Sequence, residues 1–141
     1  MESKKWHIQC KREKGESMAE FKLKSHIVEE TSFVENIEKE KKNGIEINVD
    51  GNALVPREIN KEKKIAVKLT FRMGRQDERL YFVLKTLTIF EVDGDCEQPV
   101  TEAEVHEKCF PVALGELRNT VTKVLEAYGK SGISLPPFIE E

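Results

Sequence analysis

The chain has 141 residues, which is enough for one domain with a real hydrophobic core and too few for two. Charged residues make up 35% of it and hydrophobic residues 38%, with a net charge of −3. Nucleic-acid binding needs a concentrated excess of Lys and Arg, so we do not expect it. No run approaches the ~20 apolar residues that cross a bilayer, so we do not expect membrane insertion either.

The cysteines and the N-terminus indicate a reduced, cytoplasmic protein. Three cysteines stand at unrelated spacings: Cys10, Cys96 and Cys109. The first residues also lack the apolar segment of a signal peptide. Residues 1–20 are highly charged and contain Gly15, so we expect a loosely ordered lead-in there and a single domain over residues 21–141.

Four segments show the alternation of apolar and polar residues that is typical of half-buried strands. We predict strands near 21–33, 44–54, 64–73 and 79–92. The first strand places His26 on a polar, solvated face. Its alternation weakens near Glu29–Glu30, which predicts a bulge or a strand end there. In the second strand, Asp50-Gly51 allows either a hairpin turn or a bulge. The fourth is apolar on both faces, so its second face needs cover from a helix, a partner subunit or a ligand.

Two helices are expected to follow, near residues 102–108 and 112–128. The first begins with a capping box formed by Thr101 and Glu104. The second has apolar residues at steps of three and four along one side. Gly129 and Gly132 end it because glycine accepts positive φ, and two prolines hold residues 133–139 extended. This order predicts an α+β fold, a four-stranded antiparallel sheet with helices packed on one face.

No motif in the chain marks a catalytic or metal site. Gly129-Lys130-Ser131 lacks the upstream glycine of a phosphate loop, and it ends a helix instead of preceding one. His106 and Cys109 have the spacing of half a zinc site, but no second pair has a comparable spacing, which favours a structural role for Cys109. No local pair of base and nucleophile is evident. We therefore expect no enzyme activity, no metal and no cofactor.

Several segments, in their order and spacing, resemble the SecB family of protein-export chaperones over roughly residues 21–138. They are FKLKSHIVEETSF from Phe21, RLYFVLKTLTIFEVDG from Arg79, the helix start at Cys109 and ISLPPF from Ile133. The resemblance implies a four-stranded antiparallel sheet with two helices, assembled as a homotetramer that is a dimer of dimers. It also implies binding of unfolded polypeptides or preproteins in apolar grooves without ATP. The chain then acts in protein export or, as a SecB-like relative, on the dedicated client of a toxin–antitoxin pair.

The resemblance further implies contact with the SecA motor through two acidic positions of the first strand. Glu30 matches one of them, whereas Val34 stands at the other. The paired glycines that the family has before Ile-Phe are Leu87 and Thr88 here. These departures bear on SecA docking more than on client binding.

The excess of apolar surface leaves two functions open. In a holdase chaperone, grooves for extended clients are lined by Leu87, Ile89, Phe90, Leu114, Ile133, Leu135 and Phe138. In a small-ligand-binding or thioesterase-like domain, the same surface closes into one pocket with convergent polar groups. We favour the chaperone because the sequence shows no convergent polar set. Residues 133–139 then form one wall of a groove, or Leu135 and Phe138 fill the core of their own subunit.

Overall fold

The computed structural model of the chain describes residues 12–13, 16–17, 20–41, 44–54, 64–93 and 102–138. Among these residues the elements in chain order are β1 (Arg12–Glu13), β2 (Glu16–Ser17), β3 (Glu20–Glu35), β4 (Ile47–Leu54), β5 (Lys64–Gly74), β6 (Leu80–Asp93), α1 (Glu102–Lys108) and α2 (Phe110–Ala127). The four long strands and both helices confirm the predicted elements, with ends that differ by at most three residues. Among the described residues, β1 and β2 pair only with each other, inside the predicted lead-in. Of the other residues of the lead-in, the structure describes Glu20, at the start of β3.

The four long strands form one antiparallel sheet in the order β3-β6-β5-β4. The strands from β4 to β6 are consecutive neighbours, whereas β3 lies beside β6, which is a Greek-key order. The chain must therefore cross the end of the sheet between β3 and β4. Residues 36–41 and 44–46 of this connection are described, and we call them the crossover segment.

One face of the sheet packs against α2 and forms the core. The apolar sheet residues at most 2% exposed on this face are Ile65, Val67, Leu69, Phe71, Met73, Phe82, Leu84, Phe90 and Val92. The buried residues of the helix are Phe110, Ala113, Leu114, Leu117, Val121 and Leu125. Four of them belong to the predicted apolar stripe, whose last member, Tyr128, is 46% exposed. These two layers bury one continuous cluster, as the α+β prediction requires.

β3 departs from simple alternation at two places. Its register against β6 shifts between Val28 and Glu30, at the predicted bulge, and also between Leu23 and Ser25. An extra residue in one strand moves the following side chains to the opposite face. His26 therefore lies on the helix side of the sheet, opposite Thr88. The prediction that His26 is solvated on an outer face is wrong for this reason.

Asp50-Gly51 forms neither a hairpin turn nor a bulge. β4 pairs with β5 residue by residue from Ile47 to Leu54. A Cβ atom at Gly51 would lie 2.4 Å from Leu69 Cδ2 and 3.3 Å from the Lys68 carbonyl oxygen. The glycine therefore lets a core side chain approach the backbone of the edge strand.

The segment after α2 returns along the core as an extended arm, residues 133–138. Gly129 and Gly132 have φ values of 80° and 139°, as predicted for the residues that end the helix. Arg118 fixes the arm: its Nη2 donates to the Leu135 carbonyl at 2.8 Å and its Nε to the Pro136 carbonyl at 3.1 Å. Thr101, the predicted capping residue of α1, lies outside the described residues, as does residue 139.

Candidate functional site

An open cleft of about 160 Å³ lies at the end of the sheet where the crossover segment, the β5–β6 turn and the residues after α2 meet. Its lining residues come from four segments: Glu35, Lys41, Ile45, Gly74, Glu78, Arg79, Leu80, Lys130 and Ile133. Most of the lining is apolar, and Leu80, Ile45 and Ile133 supply the large apolar side chains. The cleft thus has an apolar floor with charged groups at its rim.

Glu35 connects three of the segments that form the cleft. Its Oε2 accepts a hydrogen bond from Lys130 Nζ at 2.9 Å and a longer one from Arg79 Nε at 3.4 Å. The hydrogen bond from Lys130 and the nearby positive charges hold the pKa of the Glu35 carboxyl below its usual value, against the opposing effect of burial. The carboxylate therefore stays ionised and ties the end of β3 to the start of β6 and to the end of α2.

The crossover segment is fixed to the β5–β6 turn by further hydrogen bonds. Arg79 Nη1 donates to the carbonyl oxygens of Lys39 at 3.2 Å and Ile37 at 3.4 Å, and Lys39 Nζ donates to the Asp77 carbonyl. The second part of the crossover segment, residues 44–46, is held by Arg75, whose Nη2 donates to Glu46 Oε2 at 2.9 Å. The walls of the cleft are therefore held in place by hydrogen bonds.

Exposed apolar side chains lie on the segments that form the cleft. Four of the eight exposed large hydrophobics among the described residues lie on the segments that form it: Val34 (55%), Ile37 (74%), Ile45 (42%) and Tyr128 (46%). Tyr128 stacks on Phe33 with ring centroids 4.2 Å apart. Apolar surface that is concentrated in this way marks an interaction site more often than scattered residues do.

The seven sequence-predicted client residues do not lie in one groove. Ile133 lines the cleft, and Phe138 is half-buried and stacks on the buried Phe71 at 5.7 Å. Those in the core are Phe90, Leu114 and Leu135, each at most 6% exposed. Leu87 and Ile89 are half-buried on the outer face of the sheet, opposite Ile27 and Ser25 of β3.

The sequence-predicted partner residue Glu30 also lies on the outer face. Its carboxylate pairs with Lys85 Nζ at 3.3 Å, and both side chains are largely exposed. Similar exposed pairs link Lys68 to Glu29 and Arg72 to Asp50. Each acidic group named here thus has a basic neighbour on the same face.

The ion-paired residues of the cleft were not found by the sequence analysis. Glu35 ends a strand, Arg79 precedes one and Lys130 follows a helix, so each looks like an ordinary surface charge. Glu35 is 44 residues from Arg79 and 95 from Lys130 along the chain. Only the strand order brings them together, and no local pattern could have shown it.

His26 forms a polar contact between the sheet and α2. The Thr120 hydroxyl donates to the Glu116 carbonyl at 2.9 Å, so its oxygen accepts from His26 Nε2 at 2.9 Å. The Nδ1 atom then accepts from the Thr88 hydroxyl at 2.8 Å. Burial lowers the pKa of His26, and the charge of Glu116 opposes that shift. Nε2 thus links β3 to α2, and Nδ1 links β3 to β6.

The described residues offer no further reactive centre. Burial raises the pKa of the Cys109 thiol to about 12, so it remains protonated and is not a nucleophile at neutral pH. No group of three or more His, Cys, Asp or Glu in these ranges is placed to hold a metal ion. No helix among them is long and apolar enough to span a membrane.

A solved structure has an architecture similar to that of this chain. The chain is similar to Rv1957 of Mycobacterium tuberculosis, a SecB-like chaperone whose structure was solved in complex with a ChAD peptide from the antitoxin Rv1956 HigA1. The TM-score is 0.60 at 13% sequence identity, over 84% of this chain and 89% of that chain. The chain has the SecB-like fold. No family model and no curated protein matches it.

Proposed function

We propose that the chain is an ATP-independent chaperone that holds extended segments of unfolded polypeptides at the cleft. The observation that carries this proposal is the apolar cleft, with the exposed Ile37, Ile45 and Tyr128 on the segments that form it. The SecB-like fold supports it. No enzyme activity is part of the proposal, because the groups that line the cleft serve as ion-pair partners and apolar walls.

A client segment would use the cleft as an anchor point. One apolar side chain enters the space above Leu80 and Ile133, and its neighbours lie against Ile37 and Ile45. Fully burying one such side chain is worth ~1.5–3 kcal/mol, which suits reversible capture without a nucleotide. Recognition by alternate side chains of an extended segment tolerates many sequences.

The alternative, a small-ligand-binding or thioesterase-like domain, has less support. Pockets for small molecules have volumes of roughly 300–1,000 Å³ and enclose most of the ligand. The cleft has about 160 Å³ and opens to solvent between segments. One of its two carboxylates, Glu35, is already bound by two cations. A side chain of a polypeptide suits this space better than a whole ligand does.

The proposal also concerns which client the chain holds and which cellular process it serves. The similar chaperone was solved with an antitoxin peptide, so a dedicated client is as consistent with this fold as general export in the cytoplasm. Docking to SecA receives no support from the outer face, because Glu30 pairs with Lys85 and the second position is the exposed Val34. We therefore leave SecA out of the proposal.

We also propose that the chain assembles into a homo-oligomer through β3. β3 is a 16-residue edge strand, and within the described ranges its outer edge has no strand partner. Leu23, Ile27 and Val28 on it are each more than 40% exposed. A long apolar edge of this kind pairs readily with another strand. Antiparallel pairing with a second copy gives the two-fold dimer from which the predicted homotetramer is built.

The function is tested by following aggregation of a chemically denatured client protein without nucleotide. We expect the wild-type chain to suppress aggregation at a stoichiometric ratio and Ile37→Ser to lose most of this effect at unchanged melting temperature. Val112→Ser is the matched control. Val112 is also exposed, at 41%, but it lies on α2, and no residue of α2 lines the cleft. Equal suppression by both variants, or none by the wild type, contradicts the proposal.

A further inference from the structure

The lining of the cleft has a charge opposite in sign to that of the whole chain. It contains three cations, Lys41, Arg79 and Lys130, and two carboxylates, Glu35 and Glu78. The lining therefore carries one net positive charge, whereas the whole chain has a net charge of −3. A segment that enters the cleft therefore meets a locally positive potential.

Glu35, one of the two carboxylates of the cleft, is not available to attract a basic segment. Glu35 is bound by Lys130 at 2.9 Å and by Arg79 at 3.4 Å. The charge of Glu78 acts on Arg75, where it adds to the larger effect of the hydrogen bond to Glu46 in raising the pKa of the guanidinium. A lysine or arginine of a client that approached Glu35 would have to displace Lys130 and Arg79.

Donors, in contrast, remain available at the rim. Lys130 has three N–H groups and uses one for Glu35, and Arg79 binds through Nε and Nη1, which leaves Nη2. In the part of the chain that the structure describes, Lys41 has no ion-pair partner, and it is exposed. Such donors form short, charge-assisted hydrogen bonds with a carboxylate.

The apolar floor of the cleft determines which kind of side chain must lie beside the carboxylate of the client. Leu80, Ile45 and Ile133 surround about 160 Å³. An apolar cavity of about 150 Å³ is large enough to hold benzene, so a leucine or phenylalanine side chain fits. The floor thus accepts an apolar side chain while the rim binds an acidic group beside it.

We propose, on the basis of the chaperone function above, that the cleft selects extended segments in which an aliphatic or aromatic residue is flanked by Asp or Glu. Segments whose apolar residues are flanked by Lys or Arg bind weakly. The selected feature is local, so it does not require a client that is acidic as a whole.

The test uses three fluorescent peptides that share one Gly/Ser-rich scaffold and differ only in the residue on both sides of a central phenylalanine: Glu, Gln or Lys. Anisotropy with the full-length protein at low salt gives the affinities. We expect the Glu peptide to bind about tenfold more tightly than the Gln peptide, and the Lys peptide to bind most weakly, since a charged hydrogen bond is stronger than a neutral one by about this factor. The differences should narrow at high salt.

Two matched variants locate the effect. Lys41→Gln should weaken binding of the Glu peptide severalfold and leave that of the Gln peptide unchanged. Lys64→Gln removes the same charge at the start of β5, whereas the cleft lies at the end of β5, and it should change neither.

The outcomes separate this inference from the chaperone function. Equal affinities for the three peptides, tightest binding of the Lys peptide, or equal effects of the two variants overturn the acidic preference and leave the chaperone proposal in place. If no peptide binds while aggregation of the denatured client is still suppressed, the cleft is not the selecting site and the inference fails alone. If no peptide binds and aggregation proceeds unchecked, the chaperone proposal fails with it.

Discussion

Gly51 lies in the middle of β4, where its missing side chain leaves room for Leu69. A Cβ atom there would be 2.4 Å from Leu69 Cδ2, and Leu69 is 2% exposed with little space to move away. We expect Gly51→Ala to lower the free energy of unfolding by about 1–3 kcal/mol, as overpacked cores do. Urea denaturation measures this as a lower midpoint at an unchanged m-value.

The control for this substitution is Gly115→Ala. Gly115 lies inside α2, and nothing is within 4 Å of a Cβ atom built on it. Alanine should therefore raise stability by about 0.5–1 kcal/mol, the usual difference from glycine in a helix. If both variants were stabilised, Leu69 would have to adopt another rotamer at no cost.

His26 should make stability depend on pH. Burial lowers its pKa from the ordinary value of 6.5, so the unfolded chain takes up the proton first as the pH falls. The free energy of unfolding is therefore highest above pH 6.5 and falls as the pH decreases toward the folded-state pKa. Urea denaturation at several pH values, compared with His26→Gln, should show a smaller slope in the variant.

The pH range in which the wild type and His26→Gln are compared separates the titration of His26 from that of Glu35. The pKa of Glu35 is lowered from 4.5, chiefly by its hydrogen bond to Lys130, so its contribution to stability is present above that value and is lost only at lower pH. The interval just below pH 6.5 thus isolates the histidine. An identical slope for wild type and His26→Gln there would assign the pH dependence to other groups.

At the scale of elements, the sequence predicted every long strand and both helices, because side-chain alternation is a local property of the backbone. It misassigned the face of His26, since the bulge that precedes Ser25 has no local signal. Apolar character also could not separate core from surface: Phe90 and Leu114 are buried, whereas Ile133 lines the cleft. The charged rim was missed because its members are far apart in sequence.

The arm after α2 can now be tested against both of its predicted roles. Phe138 stacks on Phe71, which is fully buried, and Arg118 holds the neighbouring carbonyls. We expect Phe138→Ala to cost about 2–3 kcal/mol, somewhat less than for a fully buried phenylalanine. Phe138→Leu should recover most of this loss because it keeps the apolar contact. If Phe138→Ala weakened client binding while stability stayed unchanged, the residue would be a groove wall instead.

At the scale of the whole molecule, the exposed edge of β3 predicts self-association. We expect light scattering at micromolar concentration to give a multiple of the monomer mass. Val28→Lys should reduce that mass because a lysine on an edge strand opposes pairing, and Val112→Lys should not. A monomer in the wild type, or equal effects of the two changes, would contradict assembly through β3.

The strand order also sets the sequence in which this chain can acquire its structure. β3 is synthesised before the rest of the sheet, yet its partner is β6: Glu35 pairs with Leu80 and Glu20 with Asp93, which places partners 45 to 73 residues apart. Adjacent hairpins close more readily than such distant pairs, so we expect β4, β5 and β6 to pair first and β3 to dock last. Until then Phe21 and Phe33, which β3 packs against the core, are exposed on a chain still emerging from the ribosome. For that interval, the first strand of this proposed chaperone is itself the kind of extended apolar segment that we propose its finished cleft to hold.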